Sequence, residues 1–387
     1  MTSSINSFVL FIILFQLNVF DTIMSNKLTL LIDSNWLLQS RFSVLSKGFI
    51  KSNPDTAKEQ ASTELQELLA RSICVILNRF PIIDNIIFVA DGGSWRKQLQ
   101  IPSQLKNITY KGNRSQDCEM DWHYIYGALN SMLNAAKGQE ITVSQYPNIE
   151  GDDWIWYWSR RLNADGTNCL IWSSDNDLKQ LIQVDKNTNA FTAWYNDRNG
   201  LWLHNTLQEE TDPITFFMKL EYFSPVLDQL RAKVNDINYI DPDTIITSKV
   251  ICGDAGDNIM PIIRYQKGTR NHRITENDWG KISNRYNLLS IKDLVNNENG
   301  VARVILEDDK FTKLINESLI TSSIRDIAEM IEYNIKLVWL HESIIPDTII
   351  QFMNQQDYLK CNVQYIKNNY KTLIEQDNQI LDLFNSL

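Results

Sequence analysis

No two cysteines in this chain form a CxxC pair. The five present, Cys74, Cys118, Cys169, Cys252 and Cys361, are odd in number and widely spread, which excludes a thiolate zinc site and reads as a reducing cytoplasm. Histidine is scarce too: His123, His204, His272 and His341 stand apart from one another, so an HExxH-type metal site is excluded. Any metal must then be held by carboxylates, which favours magnesium or manganese. Low-complexity tracts are lacking, and 387 residues at 43% apolar and 22% charged suffice for the core of one large domain or two in an ordinary soluble globular protein. Net positive charge is lacking as well. A balance of -10 argues against a polyanionic partner unless basic residues are concentrated locally, so the distribution of charge matters more than its sum.

The hydrophobic run "FVLFIILFQLNVF" within residues 1–23 is interrupted by Gln16 and Asn18 and is shorter than the roughly 20 residues that span a bilayer. It has no Lys or Arg before it and no small-residue cleavage site, unlike a secretory signal. The expectation is an upstream extension, with Met24 of "MSNKLTLLID" as the natural start and no stable membrane partner. A short membrane-associating helix is the alternative.

Four short apolar, β-branched runs follow: "KLTLLID" (27–33), "IIFVAD" (86–91), "ITVSQY" (141–146) and "CLIWSSD" (169–175). Segments of helical period separate them: "STELQELLARSICVILNRF", "EMDWHYIYGALNSMLNAA" and "DDWIWYWSRRLN". This pattern predicts an α/β fold, a central mostly parallel twisted sheet with helices on both faces. Past about Asp241 the sequence reads as mainly helical. The expected division is an α/β domain over 24–243 and a helical C-terminal domain over 244–387.

In open parallel sheets, ligands gather at the carboxyl ends of the strands. Three of the four runs end in acids there: Asp33, Asp91, and Asp175 with Asp177. After the remaining run comes "NIEGDDWIW", with Glu150, Asp152 and Asp153, and later "ICGDAGDNIM" carries Asp254 and Asp257. Singly, each is best read as a cap. Together they are a cost, because two carboxylates 4 Å apart repel by about 4 kcal/mol at an effective dielectric near 20. Divalent cations among them would remove it. Read as alternate positions of one strand, Asp175 and Asp177 face the same side and ligate one ion or two neighbours. Two such ions can activate a water and stabilise the leaving oxygen of a phosphodiester.

Basic residues are concentrated where this chemistry needs them. Gly92 to Gln116 carries Arg96, Lys97, Lys106, Lys111 and Arg114 and no acid, and Asn258 to Thr275 holds Arg264, Lys267, Arg270 and Arg273, with no acid before Glu276. Phosphate-facing basic flanks around an acidic centre fit nucleic-acid hydrolysis better than a small acidic substrate.

"LIDSN", "VADGGSWRKQL", "YKGNR", "EGDDW", "SSDNDLKQL" and "GDAGDNI" resemble, in order and interval, the motifs of the flap endonuclease and 5′ to 3′ exonuclease family, within the PIN-like superfamily. The phage ribonuclease H branch is most alike, and "LVWLHESIIPDTIIQFM" is similar to a late segment of that branch. The resemblance implies a magnesium-dependent nuclease with two ions, manganese substituting, that removes RNA primers or 5′ flaps during replication. It implies that Asp33, Asp91, Glu150 and Asp152 surround the first metal and Asp175 and Asp177 serve the second, with Asp153, Asp254 and Asp257 in or near the latter. It also implies a basic arch at about 92–125, in which Lys111 and Arg114 contact the scissile phosphate, Lys111 stabilises developing charge, Tyr110 stacks on a base, and Arg96 and Lys97 support phosphates. The implied partners are DNA and RNA/DNA duplexes with 5′ ends or flaps and a single-strand-binding protein, met by a cytoplasmic monomer.

One departure from the pattern concerns "MPIIRYQKGTRN", where the family has a proline and a glycine-rich turn that holds duplex DNA with a monovalent ion. That ion site does not carry over. Gln379 to Phe384 in "NQILDLFNSL" are similar to sliding-clamp docking peptides, with an apolar helix end as the alternative. "WIWYW" (154–158) is read as core rather than as a base-stacking surface. A haloacid dehalogenase-type phosphatase would need an Asp two residues after its nucleophile, whereas Asn35 stands two after Asp33. A PIN-type ribonuclease would have fewer acids and no long basic arch. A DNA-binding protein that has lost catalysis would not be expected to keep every acidic motif.

Overall fold

The computed structural model describes residues 27–48, 57–105, 108–113, 122–138, 140–208, 225–267, 270–308, 323–364 and 366. The N-terminal hydrophobic run and the clamp-like tail, Gln379 to Phe384, lie outside the described residues, as do Lys106, Arg114 and Cys118.

The four anticipated runs form strands β1 (Leu28–Asp33), β2 (Asn85–Val89), β3 (Thr142–Ser144) and β4 (Asn168–Trp172). All four are parallel neighbours in the order β3-β2-β1-β4. Such strands are covered on both faces and read as continuous apolar runs. β1 shows how they divide the interior: Leu28, Leu30 and Ile32 point to one core, and Leu31 points to the opposite one. The first core is closed by helices α1 (Ser34–Gly48), α2 (Ala57–Arg79) and α3 (Trp122–Gly138), the second by α4 (Gly151–Ala164). Trp154 and Trp158 of α4 have no exposed surface, so the "WIWYW" run is core.

The sheet is wider than the sequence shows. β5 (Gln183–Val184), β6 (Phe191–Asn196), β7 (Gly200–His204) and β8 (Ile237–Ile240) extend it to eight strands. β6 is parallel to β4, β5 and β7 are antiparallel to β6, and β8 is parallel to β7. The fold is therefore the expected mostly parallel α/β sheet with an antiparallel margin.

After α5 (Pro225–Arg231) the chain forms α6 (Ile245–Cys252), the hairpin β9 (Arg264–Lys267) and β10 (Arg270–Arg273), then α7 (Glu276–Tyr286), α8 (Ile291–Leu294), α9 (Glu298–Glu307), α10 (Ile324–Val338) and α11 (Asp347–Met353). The part is mainly helical, as expected, with the β9–β10 hairpin set among the helices. Its helices enclose a third core that also takes Leu105 and Tyr110. The chain then returns to the sheet domain, where Met353 packs in the α4-side core and Cys361 and Val363 in the other.

Candidate metal centre

The carboxyl ends of β1, β2, β3 and β4 lie along one edge of the sheet. Asp33 is the last residue of β1 and sits just before α1, whose Trp36 N–H donates to Asp33 Oδ1 at 3.0 Å. The Ser173 hydroxyl donates to Asp33 Oδ2 at 2.8 Å and accepts the Asp175 N–H at 3.0 Å, so one serine links the loop after β4 to the end of β1.

Asp91 follows β2, and its position is set by backbone. Gly92 donates to the Ile149 carbonyl and accepts from Asn148 N–H, both at 2.8 Å. A Cβ on Gly92 would fall 1.7 Å from the Tyr146 carbonyl oxygen, so this approach requires glycine. Asp91 Oδ1 thereby reaches the N-terminus of α4 and accepts the Gly151 N–H at 2.7 Å, a position where a helix favours negative charge. Its own N–H donates to Asn35 Oδ1 at 2.9 Å.

Asp175 and Asp177 are placed differently from the strand reading. β4 stops at Trp172, and Asp175 caps a 3₁₀ helix, Asn176–Leu181, by accepting the Asp177 N–H at 2.8 Å. The two carboxylates are neighbours because of this cap, not because of strand alternation. Capping by Asp before a turn of helix is a local preference, and "SSDND" supports it as well as it supports a strand end.

Electrostatics shows which acids share space. Asp33 is pushed up to about 7, by burial first and by the charges of Asp91 and Asp175. Asp152, in the first turn of α4, is raised well above the usual carboxylate range by burial, then by Asp175, Asp33 and Asp91, while Lys111 acts against this. Asp33, Asp91, Asp152 and Asp175 thus form one group. Asp177 is pushed up to about 6 by burial and Asp175, opposed by Lys249. Lys249 Nζ lies 2.5 Å from both Asp177 Oδ2 and Asp254 Oδ2. Burial would raise Asp254, but Lys249 and the Gly256 and Asp257 backbone hold it below its ordinary value. Gly253, at φ 73°, turns the chain out of α6 into this loop, and a Cβ there would lie 2.4 Å from the Ile259 oxygen. No feature of the sequence singles out Lys249, nor Ser173 and Asn35, which position Asp33 and Asp91.

Three assignments change with the structure. Arg96 is not a solvent-facing phosphate contact. It is 2% exposed, with Nη1 2.8 Å from Glu150 Oε2 and 3.0 Å from Asp153 Oδ2, and Nη2 2.8 Å from Asp153 Oδ1. Asp153 is correspondingly removed from the metal set, because it is fully buried and also accepts the Trp95 indole N–H at 3.0 Å. Tyr110 does not offer a face for a base. Its ring is buried in the C-terminal core, with Lys111 Nζ 4.9 Å from its centroid.

Lys111 and Glu150 form a salt bridge, and the Lys111 N–H donates to the Asp257 carbonyl at 2.8 Å. Burial would raise Glu150, yet Arg96 and Lys111 hold it below the usual range. Lys111 is raised: burial lowers it, but Glu150, Tyr110, Asp152 and Asp257 outweigh that. Glu150 is therefore paired with cations, while Lys111 stands between Glu150 and the four-acid group. Lys97 and Arg273 are exposed and Arg264 is half-buried. Lys267 and Arg270 lie on β9 and β10, with side chains outside the described residues.

The donor set suits a divalent ion. The four acids offer only hard oxygen ligands, as magnesium or manganese prefers, and the raised titration of Asp33 and Asp152, to which burial contributes first and the neighbouring carboxylates next, shows like charges left close together. Among the described residues, no three side chains already converge on one ligand position. The set fits a hydrated ion held by few direct carboxylates.

No protein-family model matches the chain, and no curated protein matches it either. Solved structures do. The T5 D15 protein co-crystallized with metal ions aligns at a TM-score of 0.50 and 14% identity, covering 85% of this chain and 97% of that one. T5 5′-exonuclease with divalent metal ions (zinc) bound gives 0.49 at 15% identity, with 85% and 97% covered. The bacteriophage T5 D15 flap endonuclease with DNA and metal ions gives 0.48 at 14%, with 84% and 97% covered. The fold anticipated from the six motifs is the fold shared with the T5 D15 protein.

Proposed function

We propose that this chain is a magnesium-dependent, structure-specific 5′ to 3′ nuclease acting on nucleic acid with free 5′ ends or flaps. The observation that carries this reading is the gathering of Asp33, Asp91, Asp152 and Asp175 along the carboxyl edge of a parallel sheet. Such a group is unfavourable without cations and suited to holding them.

Asp33 and Asp91 would hold the ions from fixed positions, since the backbone amides of Trp36 and Gly151 lock their Oδ1 atoms. Asp152 and Asp175 would complete the set, some through water. Bound there, magnesium would supply a more acidic water for attack and positive charge at the leaving oxygen. Lys111, beside Glu150 and near Asp152, would place its ammonium where charge develops on the phosphate. Lys97 and Arg273 would contact flanking phosphates, which position a nucleic acid without reading its sequence.

The products would carry 5′-phosphates, and RNA primers or short 5′ flaps are the proposed substrates. The test is cleavage of 5′-labelled RNA-primed, flapped and blunt duplexes by purified protein. Cleavage of the first two that needs magnesium supports the reading. No cleavage of any substrate with magnesium in excess would overturn it.

A further inference from the structure

A cleft opens beside the 3₁₀ helix that Asp175 caps. It has a volume of about 490 Å³ and is lined by Asn176, Lys179, Arg198, Trp202, Asp236 and Asn238, with Asn199 between them. Ligand pockets have volumes of this order.

Lys179 is the unusual member. Its side chain is 8% exposed, and its Nζ lies 3.4 Å from the Trp202 ring centroid and 4.5 Å from that of Trp194. The two indoles are fixed, since Trp202 Nε1 donates to the Asn199 carbonyl at 3.0 Å and Trp194 Nε1 to the Asp175 carbonyl at 3.1 Å. Among the described residues, neither a carboxylate nor a hydrogen-bond acceptor meets this ammonium, which lies against the two indole faces.

Aromatic faces attract a cation but accept none of its three N–H bonds in full. The ammonium lines the cleft, so its N–H bonds are open to an acceptor bound there. Arg198, exposed on the β6–β7 turn, adds a second cation at the rim, and Asp236 is the one carboxylate among the described lining residues. Carboxamides of Asn176 and Asn238 provide further donors and acceptors. Two cations with neutral amides around them match a phosphate group, and the amides suit the polar edges of a sugar or base.

We propose that this cleft binds the phosphate of a nucleotide, with Lys179 and Arg198 on the phosphate oxygens and Asn176 and Asn238 on the polar edges. The nucleotide is either a free mononucleotide or one unit of a strand. The assignment stands on the cleft alone, so a failed cleavage assay leaves it untouched.

The experiment is calorimetric titration in EDTA of the whole protein with dAMP and, separately, with single-stranded hexathymidylate. Wild type is compared with Lys179→Gln, Arg198→Ala and Asp236→Asn, each checked by thermal unfolding. Lys179→Gln and Arg198→Ala should each weaken binding by about tenfold or more, the scale of a lost charge-assisted hydrogen bond, and Asp236→Asn should tighten it. This pattern with dAMP assigns the cleft to a free nucleotide, and with the hexamer alone to a strand. Should Lys179→Gln fail to fold, the exposed Arg198 and Asp236 variants give the answer. Binding of neither probe to wild type, or wild-type affinity in the folded variants, overturns the proposal.

Discussion

Arg96 holds Asp153 with two parallel hydrogen bonds, at 2.8 and 3.0 Å, in a place where neither side chain reaches solvent to any extent. A residue read from the sequence as a grip on phosphate is thus an internal brace. It ties the loop after β2 to the first turn of α4, and through Glu150 it fixes the base of Lys111.

Arg96→Ala should therefore act on stability. Removing one partner of a buried ion pair costs about 3–5 kcal/mol, because the other charge is left uncompensated. Asp153 is left without its cation while Glu150 keeps Lys111, so a loss within this range is expected. Urea denaturation measures it. Lys97→Ala, at the next residue and exposed, should stay within about 0.5 kcal/mol of wild type. An Arg96 variant of wild-type stability but reduced nucleic-acid affinity would restore the phosphate role.

Asp175→Asn should abolish magnesium-dependent cleavage and leave the fold intact. Asparagine also caps helices and can accept the Asp177 N–H in the same way. The variant also removes a negative charge that raises Asp33, Asp152 and Asp177. In EDTA it should melt above wild type, and this pairing of lost activity with gained stability distinguishes a metal ligand from a structural cap. Undiminished cleavage would remove Asp175 from the mechanism.

The pH dependence of stability follows from Asp33. Its folded-state value is raised to about 7 from 3.8, so between these values the folded protein retains a proton that the unfolded chain has lost. Stability then falls as pH rises. In EDTA the melting temperature should decline from about pH 4 to pH 7 through this group and level off above. Saturating magnesium should offset the decline, since a ligand bound only by the folded form stabilises it. Asp91→Asn, which retains an acceptor for Gly151 N–H, should flatten the slope in EDTA. A melting temperature that rises over this range in EDTA would contradict the burial of Asp33 as a neutral acid.

Lys249→Met should leave Asp177 and Asp254 facing each other without their shared cation. Asp177, already near 6, would be raised further by the loss of that ammonium. The variant's deficit against wild type should therefore be smaller near pH 4, where Asp177 is protonated, and grow towards pH 8. Equal deficits at the two pH values, by chemical denaturation, would show Lys249 to be a packing residue only.

Much of this was legible in the sequence, and the misses have physical causes. β1 to β4 announce themselves because buried parallel strands are unbroken apolar runs, and the acids at their ends mark the edge where ligands gather. β6 to β8 are not evident from sequence because "FTAWYN", "GLWLH" and "INYI" mix polar and aromatic residues and lie at an antiparallel margin. The 3₁₀ cap at Asp175 was read as strand because nothing in "SSDND" separates the two. Charge identity was legible, but pairing was not. Arg96 and Asp153 are 57 positions apart and meet through packing of the loop after β2 against α4, and Lys249 and Asp177, 72 positions apart, meet where α6 packs against the 3₁₀ helix.

The most direct test of the central claim is a manganese titration followed by electron paramagnetic resonance, which counts ions bound to the protein without requiring turnover. Wild type should bind two ions that magnesium displaces, and the Asp33→Asn, Asp91→Asn double variant, folded by its thermal unfolding, should lose at least one. Equal manganese binding by wild type and the double variant would contradict the account.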